Sequence, residues 1–254
     1  MGFAKLRYTI TVPEIMARRL FYIDQVRRDH AELRDEDAHH LVRVLRVEVG
    51  QVYELSDQTA LYLGKVETAH KGLVSFHIQE KLPCPPDPFP VTLYASLFKF
   101  DHFEWMLEKV TELGVTAIQP VIAERSDKGL DMAAPKRMER WQRIVLESGQ
   151  QSRRLRLPTV SAAVRLTKAM EGAVGSKLLL DEQRNVPSLL ARLTPSVEEI
   201  SILLGPEGGW TDREREVISG AGWQACSLGH TVLRAETAAA AALAVISAWS
   251  LDRI

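Results

Sequence analysis

The chain has 254 residues, 32 Lys plus Arg against 33 Asp plus Glu, and 46% hydrophobic residues. This suits one large or two modest globular domains with a real apolar core, and argues against a disordered, collagen-like or disulfide-stapled chain. The only cysteines, Cys84 and Cys226, lack CxxC spacing, so neither a zinc site nor a disulfide framework is expected, and the expected setting is a reducing cytoplasm. The N-terminal residues contain no apolar leader, and the last apolar stretch, Ala238–Leu251, is too short to span a bilayer, so no membrane association is expected.

In chain order, residues 1–80 read as a small β-rich domain. Arg19–Ile23, Val52–Leu55, Leu61–Glu67 and Leu73–Ile78 are short apolar or alternating runs punctuated by Gly50, Gly64 and Gly72. One helix, Asp35–Val44, interrupts the strands, and a small β-barrel fits the pattern. Residues 81–90, KLPCPPDPFP, hold five prolines in ten positions. Proline locks φ and removes a donor, so an extended linker is expected there.

Residues 91–254 alternate strand and helix. Val91–Ser96 is a strand, and Asp101 with Glu104 has the spacing of a capping box opening a helix that stops at Gly114. Val115–Val121 is the next strand, and Pro135 opens a basic amphipathic helix to about Ser152. Lys177–Asp181 and Ile200–Gly205 are near-continuous apolar strands, as in a parallel sheet covered on both faces. Thr211 and Glu214 form a second capping-box pattern in a helix ending at Gly222, followed by the strand Trp223–Leu228 and a terminal helix. The result is an α/β domain with a mostly parallel sheet.

Four segments carry chemistry. In LLGPEGGW (Leu203–Trp210) a buried strand runs into a glycine-rich turn and then a capped helix. Open α/β sheets bind ligands beyond the carboxyl ends of their strands, and glycine lets backbone approach a ligand closely. The segment is neither GxGxxG nor a P-loop, which disfavours dinucleotides and nucleoside triphosphates; a tight structural turn is the other reading. In SLGHTVLRAETA (Ser227–Ala238) Arg234 and Glu236 stand at a helix start, either as site groups or as a mutual pair that caps the helix. Glu124, Arg125 and Ser126 lie at a strand end, and Glu147–Arg154 offers Ser152, Arg153 and Arg154 to phosphate, because guanidinium binds it bidentately. Residues 125–156 carry nine Arg or Lys against four acids, a candidate RNA-facing stretch or a solvated helix surface. The seven histidines, His102 among them, show no metal-ligand spacing and read as structural or surface residues, so no metal is expected.

Taken together, RRLFY with HHLVRVLRVEVG, EKVTELGV, ERS, QQSRR, LLGPEGGW and LGHTVLRAETAA resemble the bacterial 16S ribosomal RNA uridine-N3 methyltransferase family, the RsmE type of the SPOUT or α/β-knot superfamily. The resemblance runs from Arg18 to the C-terminus, and the GPEGG and VLRAETA segments are its most specific parts. It departs from the family pattern at QQSRR (Gln150–Arg154) and at DEQR (Asp181–Arg184).

The resemblance implies a PUA-like β-barrel that helps bind RNA, then a SPOUT domain with a C-terminal trefoil knot, acting as a homodimer on 16S ribosomal RNA or the small ribosomal subunit. It also implies that S-adenosylmethionine (SAM) is held by three loops. These are Leu180, Asp181 and Glu182; then Leu204, Gly205, Pro206, Glu207, Gly208 and Gly209; then Leu228, Gly229, Val232 and Leu233, with Thr237 beyond. Arg234 is the expected cation for charge developing on the base, and Glu207 or Glu236 the proton acceptor or the orienter of Arg234. Arg18, Arg19, Arg43 and Arg46 in the first domain, with Arg125, Ser126, Ser152, Arg153 and Arg154 in the second, are the expected RNA contacts. Two readings compete: a SPOUT enzyme with another RNA target, and a non-catalytic RNA-binding assembly factor.

Overall fold

The computed structural model describes residues 19–183 and 185–251. Arg18 and Arg184 therefore lie outside the described residues. The chain forms two compact units, Met1–Cys84 and Pro85–Ile254. Among the described residues no helix is long and apolar enough to cross a membrane.

The first unit contains β1 (Leu20–Tyr22), β2 (His30–Arg34), α1 (Asp35–Arg43), β3 (Val52–Ser56), β4 (Leu61–His70) and β5 (Leu73–Leu82). The strands form one mixed sheet in the order β1-β3-β4-β5-β2. Its core gathers Phe21, Leu55, Val66, Val74 and Phe76 from the strands with Leu41 from α1. β2 has no counterpart among the sequence-based expectations. HAELR holds only two apolar residues, Ala31 and Leu33, which point inward while His30, Glu32 and Arg34 are exposed, and antiparallel pairing with β5 holds it as a strand. β5 continues to Leu82, two residues into the proline-rich segment.

The second unit contains β6 (Val91–Ser96), α2 (Phe100–Glu112), β7 (Ala117–Ile122), α3 (Leu130–Ala133) and α4 (Met138–Gln151). Then come β8 (Thr159–Val160), β9 (Val164–Arg165), α5 (Leu166–Glu171), β10 (Ser176–Leu180) and α6 (Leu189–Arg192). β11 (Ile200–Leu204), α7 (Asp212–Gly220), β12 (Gln224–Cys226) and α8 (Ala235–Leu251) complete it. The sheet runs β12-β10-β11-β6-β7-β8, with β9 also on β7, and every one of these pairings is parallel.

Side chains alternate across this sheet, so each strand feeds two cores. Leu93, Leu178, Ile202 and Leu204 pack with Phe103, Met106, Leu107 and Val110 of α2, Trp141 of α4, and Ala239, Ala242 and Ile246 of α8. Tyr94, Leu179 and Leu203 pack the opposite way, with Ala169 and Met170 of α5 and Ile218 of α7. This double coverage explains why all five residues of β11 are buried.

Two local expectations need correction. α2 starts at Phe100, and its N-cap Lys99 makes no side-chain cap, so Asp101 and Glu104 form no capping box. Glu104 falls in the second turn, where its buried carboxylate accepts from Arg140 Nε at 2.7 Å and Arg137 Nη1 at 3.3 Å. A carboxylate out of water is stabilised far more by two guanidiniums than by one backbone N–H, and that decides its direction. Pro135 does not open the basic helix either; it sits in a 3-10 turn, Ala134–Arg137, ahead of α4.

The candidate cofactor and active site

Strands β12, β10 and β11 are neighbours in the sheet, so the loops leaving their C-terminal ends converge. With the start of α2 after β6, they enclose a cavity of about 970 Å³. Thirteen of the fourteen expected cofactor residues line it: Leu180, Asp181 and Glu182 after β10, Leu204 to Gly209 after β11, and Leu228, Gly229, Val232 and Leu233 after β12. Thr237 does not; it is exposed on the first turn of α8.

The glycines have a visible task in the β11 loop. A Cβ on Gly205 would lie 2.9 Å from Trp210 Nε1 and 3.2 Å from its Cε2. One on Gly208 would come within 3.2 Å of Arg125 Cβ and 3.3 Å of its carbonyl oxygen, and Gly209 adopts φ +69°, which L side chains rarely take. Arg125 Nη1 donates to the carbonyls of Gly208 (3.2 Å) and Trp210 (3.5 Å), bracing the loop from β7.

The helix that follows is anchored as the sequence indicates. Thr211 caps α7 and Glu214 completes the capping box. Glu214 is buried and also accepts from Glu124 N at 2.8 Å, tying the end of β7 to the loop. Glu214→Ala removes a cap and this tie together. It is expected to cost about 2 kcal/mol of stability, measured by denaturant unfolding, and a loss under about 0.5 kcal/mol would show that the carboxylate is not needed there.

Asp181 is held by Arg215 Nη1 at 2.5 Å. Cys226 also lines the cavity, but burial pushes its thiol up to about 12, so it supplies no thiolate near neutrality. A thiol-reactive disulfide reagent is expected to titrate one cysteine of the native protein, the exposed Cys84, and two after denaturation. Two rapidly reacting thiols in the folded protein would contradict the burial of Cys226.

Two of the catalytic candidates line the cavity, and the third lies behind His102. Arg234 and Glu207 line the cavity, with Arg234 exposed to it, and its carbonyl accepts from Ala238 N to start α8. Glu236 is buried and faces His102 rather than Arg234. His102 lines the cavity, where sequence reading expected only a structural or surface histidine. Its Nδ1 lies 3.6 Å from Oε1 of Glu207 and 3.6 Å from Oε1 of Glu236. The only local signal for it was its place in the first turn of a helix that follows a parallel strand. His30, Glu67 and His77 converge in the same way on the surface of the first unit, which spacing along the chain did not indicate either.

The expected RNA contacts divide. Arg19, Arg43 and Arg46 are exposed on the first unit. In the second unit much of the basic stretch is engaged internally. Arg137 and Arg140 meet Glu104, Arg143 meets Glu147, Arg156 meets Asp87, and Arg154 Nη1 donates to the carbonyl of Thr111 at 2.8 Å. The Ser126 hydroxyl accepts from Ala123 N, and that of Ser152 donates to the carbonyl of Ser148. Arg153 adopts φ +57° at the end of α4.

Residues 85–247 match the RNA methyltransferase domain family and residues 33–79 the RNA methyltransferase PUA domain family. The fold and cavity therefore belong to an RNA methyltransferase, with a PUA-like first unit. More narrowly, the chain belongs to the ribosomal RNA small subunit methyltransferase E family. It is 36% identical to that protein of Synechocystis sp. over 92% of this chain and 78% of the relative, and 29% identical to that of Aquifex aeolicus over 89% and 98%. Among solved structures it is similar to the Neisseria gonorrhoeae enzyme bound to S-adenosyl methionine, with a TM-score of 0.82, 32% identity, and coverage of 91% of this chain and 97% of the other. A Legionella pneumophila putative methyltransferase in complex with SAM is similar at TM-score 0.82 and 29% identity, with coverage of 91% and 97%.

Proposed function

We propose that this protein transfers a methyl group from SAM to N3 of a specific uridine in 16S ribosomal RNA of the small ribosomal subunit, working in the cytoplasm as a homodimer. The observation that carries this reading is the convergence of the GPEGGW turn and the VLRAET segment on one cavity, in a chain of this family. The cavity fits the cofactor: its wall is built from loop backbone kept free of side chains at Gly205, Gly208 and Gly209, with apolar Leu180, Leu204, Leu228 and Leu233 between them. A trefoil knot built from these loops is part of the reading. The exposed Trp105 and Met132 of the second unit supply apolar surface for a partner subunit.

When bound, SAM supplies an electrophilic methyl group. The protein's own work is then placement and charge. Uridine N3 must lose its proton before it is a good nucleophile, and negative charge then spreads to O2 and O4. The Arg234 guanidinium stabilises that charge, as donors of an oxyanion hole do. Glu207 or Glu236 accepts the N3 proton or orients Arg234. The target base leaves its stack to enter the cavity, and Arg19, Arg43 and Arg46 contact phosphate.

The test is direct. Protein, methyl-labelled SAM and small subunits from a strain lacking this activity are incubated, and the RNA is digested to nucleosides. Labelled 3-methyluridine is the expected product. Label in a 2′-O-methyl nucleoside, or in another RNA only, would overturn the substrate assignment, and absence of both transfer and SAM binding would favour a non-catalytic assembly factor.

A further inference from the structure

We propose that His102 is a positioning residue of the methyl-transfer site: as an imidazolium it clasps Glu207 and Glu236, and so fixes the GPEGG turn against the first turn of α8. The inference rests on the function proposed above.

Two observations carry it. First, both ring nitrogens face carboxylate oxygens: Nδ1 has Glu207 and Glu236 Oε1 at 3.6 Å each, and Nε2 has Asp101 Oδ2 at 3.9 Å. A carboxylate offers acceptors only, so Nδ1 faces Glu207 and Glu236 as a donor. Second, Glu236 is 7% exposed, its Oε2 is buried without a hydrogen-bond partner, and so is His102 Nδ1. A buried carboxylate needs an opposite charge, and His102 is the basic side chain within 4 Å of it among the described residues.

The consequence reaches the chemistry through the groups it holds. Glu236 stands two residues after Arg234, and Glu207 lies within the GPEGG turn, so one imidazolium ties together the parts that carry the cation and the proton acceptor. Without the charge, the two carboxylates would repel each other across an uncharged side chain and the turn would drift from α8. The contacts are 3.6 Å rather than hydrogen-bond length, which leaves room to tighten when a substrate base is bound.

Three variants test this: His102→Gln, which keeps polarity without charge, and His102→Arg and His102→Lys, which keep charge. SAM affinity is measured by calorimetry, and methyl transfer to small-subunit RNA under single-turnover conditions. The expected result is a roughly ten- to hundredfold slower transfer for His102→Gln even at saturating SAM, whatever loss of SAM affinity accompanies it, and recovery in at least one cationic variant to within about threefold of the parent. A wild-type rate for His102→Gln would overturn the proposal, as would cationic variants as slow as His102→Gln.

A second measurement is independent of the RNA substrate. The unfolding equilibria of His102→Gln, Glu236→Gln and the double variant form a cycle. The clasp predicts coupling of roughly threefold or more between the two changes; strict additivity would remove the clasp. If the parent protein fails to methylate any RNA yet the cycle shows coupling, the clasp stands and the substrate reading is what has failed.

Discussion

Replacing Arg234 with alanine is expected to slow methyl transfer by roughly 10²–10³-fold while SAM still binds. Removal of one preorganised donor from a site of developing negative charge has that order of effect. The separation of transfer from binding follows from the geometry. The Arg234 side chain is exposed in the cavity, whereas its carbonyl, which accepts from Ala238 N, survives truncation. α8 keeps its start, and the glycine-lined walls stay where they are. Calorimetric titration with SAM and single-turnover transfer on small-subunit RNA give the two numbers. Transfer within threefold of the parent would remove Arg234 from the catalytic role, and a proportional loss of binding would make it a cofactor ligand instead.

Gly205→Ala is expected to act at the other stage. The new methyl would lie 2.9 Å from Nε1 and 3.2 Å from Cε2 of Trp210, an indole 5% exposed in the second core. Those ring atoms cannot swing aside as the end of a lysine would, so the β11 loop must shift. Forcing a methyl into a packed site costs about 1–3 kcal/mol, which corresponds to roughly a five- to hundredfold loss if it is taken from loop geometry and hence from SAM affinity. Thermal unfolding and the same calorimetric titration report how the cost divides. Unchanged affinity and unchanged stability together would show that the loop is looser than its packing indicates. Gly209 answers to a different constraint, its positive φ, so Gly209→Ala strains the backbone without a collision.

The two variants probe features that differ in how visible they were in the chain. LLGPEGGW announced itself as an apolar strand, a glycine turn and a capped helix, each a local pattern with a local cause. The Thr211–Glu214 capping box formed because both partners lie on one helical turn, and the added contact from Glu124 N uses the other carboxylate oxygen of Glu214. The Asp101–Glu104 pattern has the same spacing and failed, because Arg137 and Arg140 arrive from across the chain and hold Glu104 more strongly. Spacing alone carries no knowledge of a residue 36 positions away. β2 escaped notice because its strand character lies in its pairing with β5, not in its two apolar residues.

The basic stretch around α4 shows what composition leaves open. Nine cations in 32 residues could face phosphate or form a solvated helix surface, and only the fold shows that Arg137, Arg140, Arg143, Arg154 and Arg156 have protein partners. Arg154 caps the carboxyl end of α2 through the Thr111 carbonyl, a use of guanidinium that leaves no trace in net charge.

What the sequence by itself determined is what depends on near neighbours: the main strands and helices and their order, the proline-rich break, the glycine turns, and the family pattern they spell together. Backbone sterics, side-chain alternation and capping act within a few residues, so they can be read along the chain. Only the tertiary structure decided which strand ends lie side by side. The order β12-β10-β11-β6 brings three loops from distant stretches of the chain to one cavity and sets His102 between Glu207 and Glu236. Those meetings are settled by burial of two apolar faces of one parallel sheet and by the need of each buried charge for a counter-charge, and both conditions are met in space rather than in sequence.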